Sequence, residues 1–435
     1  MLAFFLASSF LFPPYAADFL LFLPGALVIV ANTVPLNKRP LYTGMAGGMG
    51  GIGSVAGPIL GGVITEKLSF RFCFYLSLPF GMITLALVIF LLKLPGTTAT
   101  KLENTTFLKR LAYFDPFGTL VFIPAVVCLL LALQFGGSKY PWNSGFIIGL
   151  LIAFSVLISI FIRIQLWTQE KATVPPRILK RRSIWSSSLF AFSMGGAFII
   201  VTFYLPIWFQ VIRGVSAVRS GIDTLVRVLI IHRPAIDATQ PVILSLVVGS
   251  VAAGVLITIV GYYAPFMVLS SIFTVVGTGM LAALTVTSNT VNWLPFEILC
   301  GFGVGLGMQQ PMLAAQTVLD LKDVPIGTAL VMFANTLGGA LFVSIAQNVF
   351  TNRLVTGLIA TVPDVSPSFV LSAGADSLKN SVAPEFLPGV LSAYNQALTT
   401  TFYVAMALGG VSVVGAFAVE WLSVKGKNTD MMLPA

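Results

Sequence analysis

Few side chains in this sequence could do chemistry, and the most informative polar ones stand inside long apolar runs. Glu297 lies four residues after Trp293, and Gln309 and Gln310 follow a run of glycines in the same stretch. Asn335 stands in the next apolar run. A carboxyl group in such surroundings can carry a proton, and side-chain amides can bind a polar ligand. These four residues are therefore the candidates for a substrate or proton pathway.

Each candidate also has a purely structural interpretation. Glu297 is either a cavity-facing carboxylate or an interfacial one. Gln309 and Gln310, next to Pro311, fit a binding site in the middle of the membrane or hydrogen bonds that join helices. The same two interpretations apply, with the joining role favoured, to three further amides, Asn335, Gln347 and Asn348.

The groups that enzymes use are scarce. The only histidine is His232, and the cysteines Cys73, Cys128 and Cys300 lie in or beside apolar runs, where thiols act as small hydrophobes. We find no phosphate-binding loop and no cluster of metal ligands, whereas a membrane-embedded enzyme needs convergent nucleophiles, bases or metal ligands. The sequence therefore predicts a protein that is not an enzyme and uses no cofactor or metal.

The elements that position the candidates must be membrane-spanning helices. The chain has 435 residues, of which 57% are hydrophobic and 9% charged, whereas soluble domains carry about 25% charged residues. Apolar runs of the ~20 residues that a spanning helix needs recur throughout, without the strict alternation of barrel strands. The sequence predicts an all-α polytopic membrane protein with about eleven spans, near 17–35, 42–62, 72–94, 116–137, 145–165, 186–212, 241–262, 264–287, 293–318, 327–350 and 399–423.

Charge placement gives the orientation and the domains. The net charge is +9, but Lys and Arg concentrate in loops on one side, which argues for cytoplasmic loops rather than for nucleic acid as a partner. Two polar, basic cytoplasmic segments divide the spans into blocks of three, two and six. The predicted domains are an incomplete N-terminal bundle at 1–95, two linker helices at 96–185 and a six-helix C-terminal bundle at 186–435.

The second span carries glycines at a regular spacing that lets another helix backbone approach closely, and a proline that bends the helix. Glycine is also simply common in membrane helices, which is the alternative. The pattern consists of Gly44, Gly53, Gly57, Pro58, Gly61 and Gly62.

This pattern resembles the antiporter signature in the fifth helix of drug:proton antiporters of the major facilitator superfamily. Further segments resemble the fourteen-helix fungal branch that exports toxins and drugs, and the resemblance runs from about Pro24 to the end. These segments are 34–44, 140–143, 204–210, 214–222, 301–311 and 335–342.

The resemblance implies a major facilitator transporter fold and proton-coupled efflux of small amphipathic organic molecules, such as drugs, toxins or secondary metabolites, by alternating access. It implies a monomer in the lipid bilayer of the plasma membrane, with the vacuolar membrane as the alternative.

The sequence departs from the family pattern in its N-terminal part. Relative to that pattern it lacks the first three helices with their charged loop motif, and residues 18–24 lack the expected arginine. Phe70 and Phe72 stand where the family has tryptophan. The alternative expectation is therefore a truncated or inactive transporter-like protein.

Residues 226–240, which include His232, interrupt the family's usual run into the following helix. Our hypothesis is a retained intron, because 15 codons keep the reading frame; an external loop insertion is the alternative. A transcript that lacks these codons would support the intron.

Overall fold

The computed structural model describes residues 25–27, 29–31, 33–67, 69–91, 115–137, 139–169, 172, 174–214, 240–371, 378 and 382–425. Between 54 and 91 it describes the backbone more fully than the side chains. Almost all of residues 226–240 fall outside the described residues. In chain order, the helices of the described part are α1 (Arg39–Lys67), α2 (Phe70–Leu91), α3 (Pro116–Phe135), α4 (Gly145–Thr168), α5 (Pro176–Leu179), α6 (Arg182–Trp208), α7 (Gln240–Val260), α8 (Ala264–Ala282), α9 (Thr290–Gly307), α10 (Gln310–Val318), α11 (Val324–Thr361) and α12 (Leu387–Ala418).

The all-α prediction is confirmed, and eight of the described helical segments are long and apolar enough to cross a membrane. They correspond to the last eight of the eleven predicted spans. Of the first three, the spans predicted near 42–62 and 72–94 fall on α1 and α2. The span predicted near 17–35 lies largely outside the described residues.

Helices α6 to α12 form one bundle. The first of them, α6, packs against both α11 and α12, while α9 packs between α7 and α8, and α8 also packs against α12. Beyond Trp208, α6 continues as a π-helical turn at Phe209–Arg213 and stops at Gly214, whose φ of 71° is left-handed. The N-terminal helix α1 joins this bundle through α7.

Helix α11 approaches α6 so closely that only glycine fits at their contact. A methyl group at Gly338 would overlap the backbone carbonyl oxygen of Phe192. Since lipid supplies no hydrophobic drive between helices, such close packing is what holds them together.

Gly338→Ala is therefore expected to lower the stability of the bundle by about 1–3 kcal/mol, the usual effect of overpacking. Thermal unfolding of the detergent-solubilised protein measures it. The matched control is Gly410→Ala on α12, where a methyl group meets nothing within 4 Å and alanine is the better helix former. Equal melting temperatures for the two variants would contradict this account of the α6–α11 contact.

Two helices are longer than predicted. Prediction ended one span near 350 and began the next near 399, whereas α11 continues to Thr361 and α12 begins at Leu387. A helix of 38 residues is roughly 57 Å long, which exceeds the ~30 Å hydrocarbon layer. A proline stands close to each of these helix ends: Pro363 follows the end of α11, and Pro388 stands in the first turn of α12.

Helices α3 and α4 pack against each other, and α3 also packs against α11. The rings of Phe122 on α3 and Phe333 on α11 are 5.4 Å apart. Asn348 on α11 donates from Nδ2 to the carbonyl oxygen of Leu133, at 2.6 Å. The pair is thus attached to the C-terminal bundle at two separate levels.

Asp115 stabilises the start of α3. It is the N-cap of this helix, and its Oδ1 accepts the Gly118 N–H at 3.0 Å. Its Oδ2 accepts from Nε2 of Gln165 on α4 at 2.6 Å. Gln165 Oε1 in turn accepts the Val174 N–H at 2.9 Å. One carboxylate therefore ties α3 to α4 and, through Gln165, to the chain beyond.

Candidate functional site

The stretch that sequence analysis treated as one span, 293–318, is a broken helix. Helix α9 ends at Gly307, and α10 begins at Gln310. Pro311 has no N–H, so the Gly307 carbonyl four residues earlier loses its helical donor. The side chain of Gln310 donates from Nε2 to the Leu306 carbonyl at 3.0 Å and so satisfies one of the freed acceptors. Discontinuous helices of this kind form binding sites in many transporters.

Gln309 lies in the break itself and is only 4% exposed. Its Nε2 would be 2.7 Å from a methyl group at Gly47, which places the amide directly against α1. Its Oε1 is buried and accepts no hydrogen bond within the described part of the chain. Gln309 therefore has an acceptor available where α1 meets the break, whereas the amide of Gln310 already donates to the Leu306 carbonyl of α9.

Helix α1 approaches α7 at its glycines. A methyl group at Gly44 would lie 2.7 Å from the Ser250 carbonyl oxygen and 3.0 Å from the Gly254 Cα. Ser250 also donates from Oγ to the Gly44 carbonyl at 3.2 Å. We call this contact, formed by Gly44, Ser250 and Gly254, the α1–α7 seam.

Of the other positions in the glycine pattern, Gly53 is buried. The side-chain surroundings lie outside the described residues for Gly57, Pro58, Gly61 and Gly62. Sequence reasoning missed Ser250. Its spacing from Gly254, two small residues separated by three, was a signal for close helix packing.

Glu297 is on α9 and is completely buried. Neither carboxyl oxygen has a hydrogen-bond partner among the residues that the structure describes. One turn earlier, Trp293 packs its ring on that of Phe209, with centroids 4.9 Å apart, and one turn later Cys300 is also buried. A charge without partners in such a place costs several kcal/mol. The position is therefore an enclosed carboxyl group without a compensating partner among the described residues.

The remaining amide candidates make contacts between helices. Asn335 on α11 donates from Nδ2 to the Ala191 carbonyl of α6 at 3.1 Å. Gln347 accepts from the Tyr204 hydroxyl at 3.0 Å, and Asn348 holds α3 as described above. The joining role accounts for these bonds.

The four candidates do not form one cluster. Gln309 and Gln310 share the break, and Glu297 precedes Gln309 by twelve residues on the same discontinuous segment, which is roughly 18 Å of helix rise. Asn335 lies on α11. The arrangement provides two separate centres, an enclosed acid and an amide at the α1 contact.

One end of the bundle carries a group of five basic side chains, and we call it the basic end. Arg177 on α5 forms a bidentate ion pair with Asp323 at the start of α11, with N–O distances of 3.0 and 3.1 Å. Arg182 donates to the Ala418 carbonyl at the end of α12. The basic end is defined by Arg177, Arg181, Arg182, Lys322 and Lys425.

The chain that follows α12 is held at this end. Glu420 accepts from the Ser183 hydroxyl at 2.8 Å, and its backbone carbonyl accepts from the Tyr263 hydroxyl at 2.9 Å. Burial, with a contribution from the charge of Glu420, raises the pKa of the Tyr263 phenol above its ordinary value. The phenol therefore stays a hydrogen-bond donor at every physiological pH.

Eight apolar helical segments among the described residues indicate an integral, multi-pass membrane protein, and a broken helix is typical of transporters. The chain belongs to the Major Facilitator Superfamily, because the model of that family matches residues 19–343. The predicted family is therefore confirmed. A family of transporters is compatible with the expectation that the chain is not an enzyme.

Curated fungal proteins are similar over most of the chain. The MFS-type efflux pump MFS1 of Arthroderma benhamiae is 50% identical over 407 residues, which is 93% of this chain and 73% of the relative. The efflux pump roqT of Penicillium rubens is 45% identical, covering 92% of this chain and 71% of the relative. The aspyridones efflux protein of Neocamarosporium betae is 44% identical, covering 94% and 70%.

Proposed function

We propose that this chain exports small amphipathic organic molecules by proton-coupled antiport, with Glu297 carrying the proton. The observation that carries the proposal is the complete burial of this carboxyl group without a hydrogen-bond partner in the described ranges. An acid in this position gains a proton readily in the enclosed state and loses it when the bundle opens to water. Intramembrane carboxyl groups with this property serve proton pathways.

The relatives support the direction of transport, since the three named above are all described as efflux proteins. The clustering of basic residues supports the orientation, because loops rich in Lys and Arg stay in the cytoplasm. In this proposal the basic end faces the cytoplasm, and the protein works as a monomer in the plasma membrane.

Gln309 is the proposed contact for substrate. Its free amide oxygen lies in a helix break against α1, and breaks of this kind expose polar groups to a ligand in the middle of the membrane. Bending at the break would then couple occupancy of this site to movement of α1 along α7. The mostly apolar helices around it suit an amphipathic molecule, with one polar group at Gln309.

Reconstituted vesicles with the basic end outward test the function. With an acidic lumen, we expect a fluorescent amphipathic dye to accumulate inside, because each pH unit supplies ~1.4 kcal/mol, or roughly a tenfold gradient at one proton per molecule. A protonophore should abolish the accumulation. Dye accumulation that persists in the presence of the protonophore would overturn proton coupling. Vesicles that transport no dye under any gradient would overturn efflux.

A further inference from the structure

Helix α4 leaves one face without a protein partner among the described helices. Among these it packs against α3, and the opposite face exposes aliphatic side chains to 43–59%. A shallow, open groove of about 530 Å³ runs along that face. We call it the α4 groove; it is lined by Ile148, Leu151, Ile152, Ser155, Val156, Ser159, Ile160 and Arg163.

The floor of the groove is suited to hydrocarbon. Ser155 and Ser159 make it concave, because they are small residues among branched aliphatic ones. Both hydroxyls are already used by the helix, since Ser155 donates to the Leu151 carbonyl at 2.8 Å and Ser159 to the Ser155 carbonyl at 2.7 Å. The groove therefore offers an apolar surface along most of its length.

Arg163 supplies the one charge in the groove. The side chain is exposed, and no described residue forms an ion pair or hydrogen bond with it. Trp167, one turn nearer the end of α4, is 89% exposed, as expected of an aromatic ring at the membrane interface. A guanidinium without a partner beside an interfacial tryptophan is placed to meet a phosphate group.

The part of the groove between Ile152 and Arg163 is about as long as one leaflet is thick. Ile152 and Arg163 are eleven residues apart, which is roughly 16 Å of helix rise. Half of the hydrocarbon layer is about 15 Å thick. A headgroup held at Arg163 therefore places its acyl chains along Val156 and Ser159, with their ends near Ile152.

We infer that the α4 groove binds one anionic phospholipid, with its phosphate on the Arg163 guanidinium and its acyl chains on the Ile152–Ile160 surface. The charge complementarity selects the anionic lipids of the cytoplasmic leaflet. The choice of leaflet rests on the orientation proposed above. Lipid binding itself requires neither transport nor proton coupling, so its test can fail independently of the efflux assay.

Native mass spectrometry of the full chain, purified with phosphatidylserine or phosphatidylcholine, tests this inference. We expect the protein to retain one phosphatidylserine in preference to phosphatidylcholine. Arg163→Gln should weaken phosphatidylserine binding about fivefold, the effect of one basic residue at an anionic surface, without changing phosphatidylcholine binding. Ser155→Phe fills the groove and should reduce the retention of both lipids.

The matched control is Arg353→Gln, which removes an exposed charge on α11 and should leave the preference intact. An Arg163→Gln protein with an unchanged preference for phosphatidylserine would overturn the inference. So would an equal loss in the Arg353→Gln control, since it would show a general charge effect. Thermal unfolding of each variant in phosphatidylcholine confirms that it is folded.

Discussion

Glu297→Gln is expected to remove the pH dependence of substrate binding while the protein stays folded. Glutamine has the size of the neutral acid, which is the form that the unpartnered, buried position favours. In a coupled transporter, protonation and substrate binding change each other's affinity by roughly 5–150-fold. We expect that factor between acidic and neutral pH in the unmodified protein and a flat profile in the variant, measured by dye binding to the purified protein.

The control for this experiment is Glu385→Gln, which removes an exposed carboxyl group before α12. Its binding profile should follow that of the unmodified protein. If Glu297→Gln keeps the same pH dependence, another group carries the proton. In the vesicle assay, Glu297→Gln should still exchange dye between equal concentrations but should not accumulate it against a gradient.

Gly44→Ala is expected to reduce transport strongly. A methyl group 2.7 Å from the Ser250 carbonyl oxygen forces α1 away from α7, because neither contacting atom belongs to a flexible side chain. Overpacking of this kind costs about 1–3 kcal/mol. This cost falls on the conformation in which the α1–α7 seam is closed. The population of that conformation therefore falls by about 5–150-fold relative to open states. Initial rates of dye uptake in vesicles measure the effect.

Gly149→Ala on α4 is the matched control, since a methyl group there meets nothing within 4 Å. It should transport at the unmodified rate. A Gly44→Ala protein that transports equally well would show that the seam does not need to close this tightly. Gly254→Ala offers an independent check from the other helix, because its methyl group would lie 2.7 Å from the Pro40 carbonyl oxygen.

Hydropathy predicted the spans well and their ends poorly. Apolar runs indicate contact with lipid, so the predicted spans stopped where the sequence becomes less apolar, although α11 continues to Thr361 and α12 begins at Leu387. The break between α9 and α10 was signalled by glycines and Pro311, because both weaken a helix locally. The sequence could not tell that the helix stops there rather than bends.

The roles of the polar residues were the least predictable part. Whether an amide binds a ligand or joins helices depends on which carbonyl it meets, and Asn335 meets Ala191, which is 144 positions away. In the same way, nothing in the neighbouring sequence shows that Glu297 lacks a partner, because its surroundings come from other helices. The antiporter pattern was recognisable from spacing alone, but only the structure identifies Ser250 as the residue that Gly44 contacts.

The Asn348 bond from α11 to α3 has a mechanical consequence for the transport cycle. Because α3 and α4 are held on α11 and joined to α6 through a short connection, the pair moves together with the C-terminal bundle. Any movement of α1 and α2 relative to α11 would therefore also change their position relative to α3 and α4.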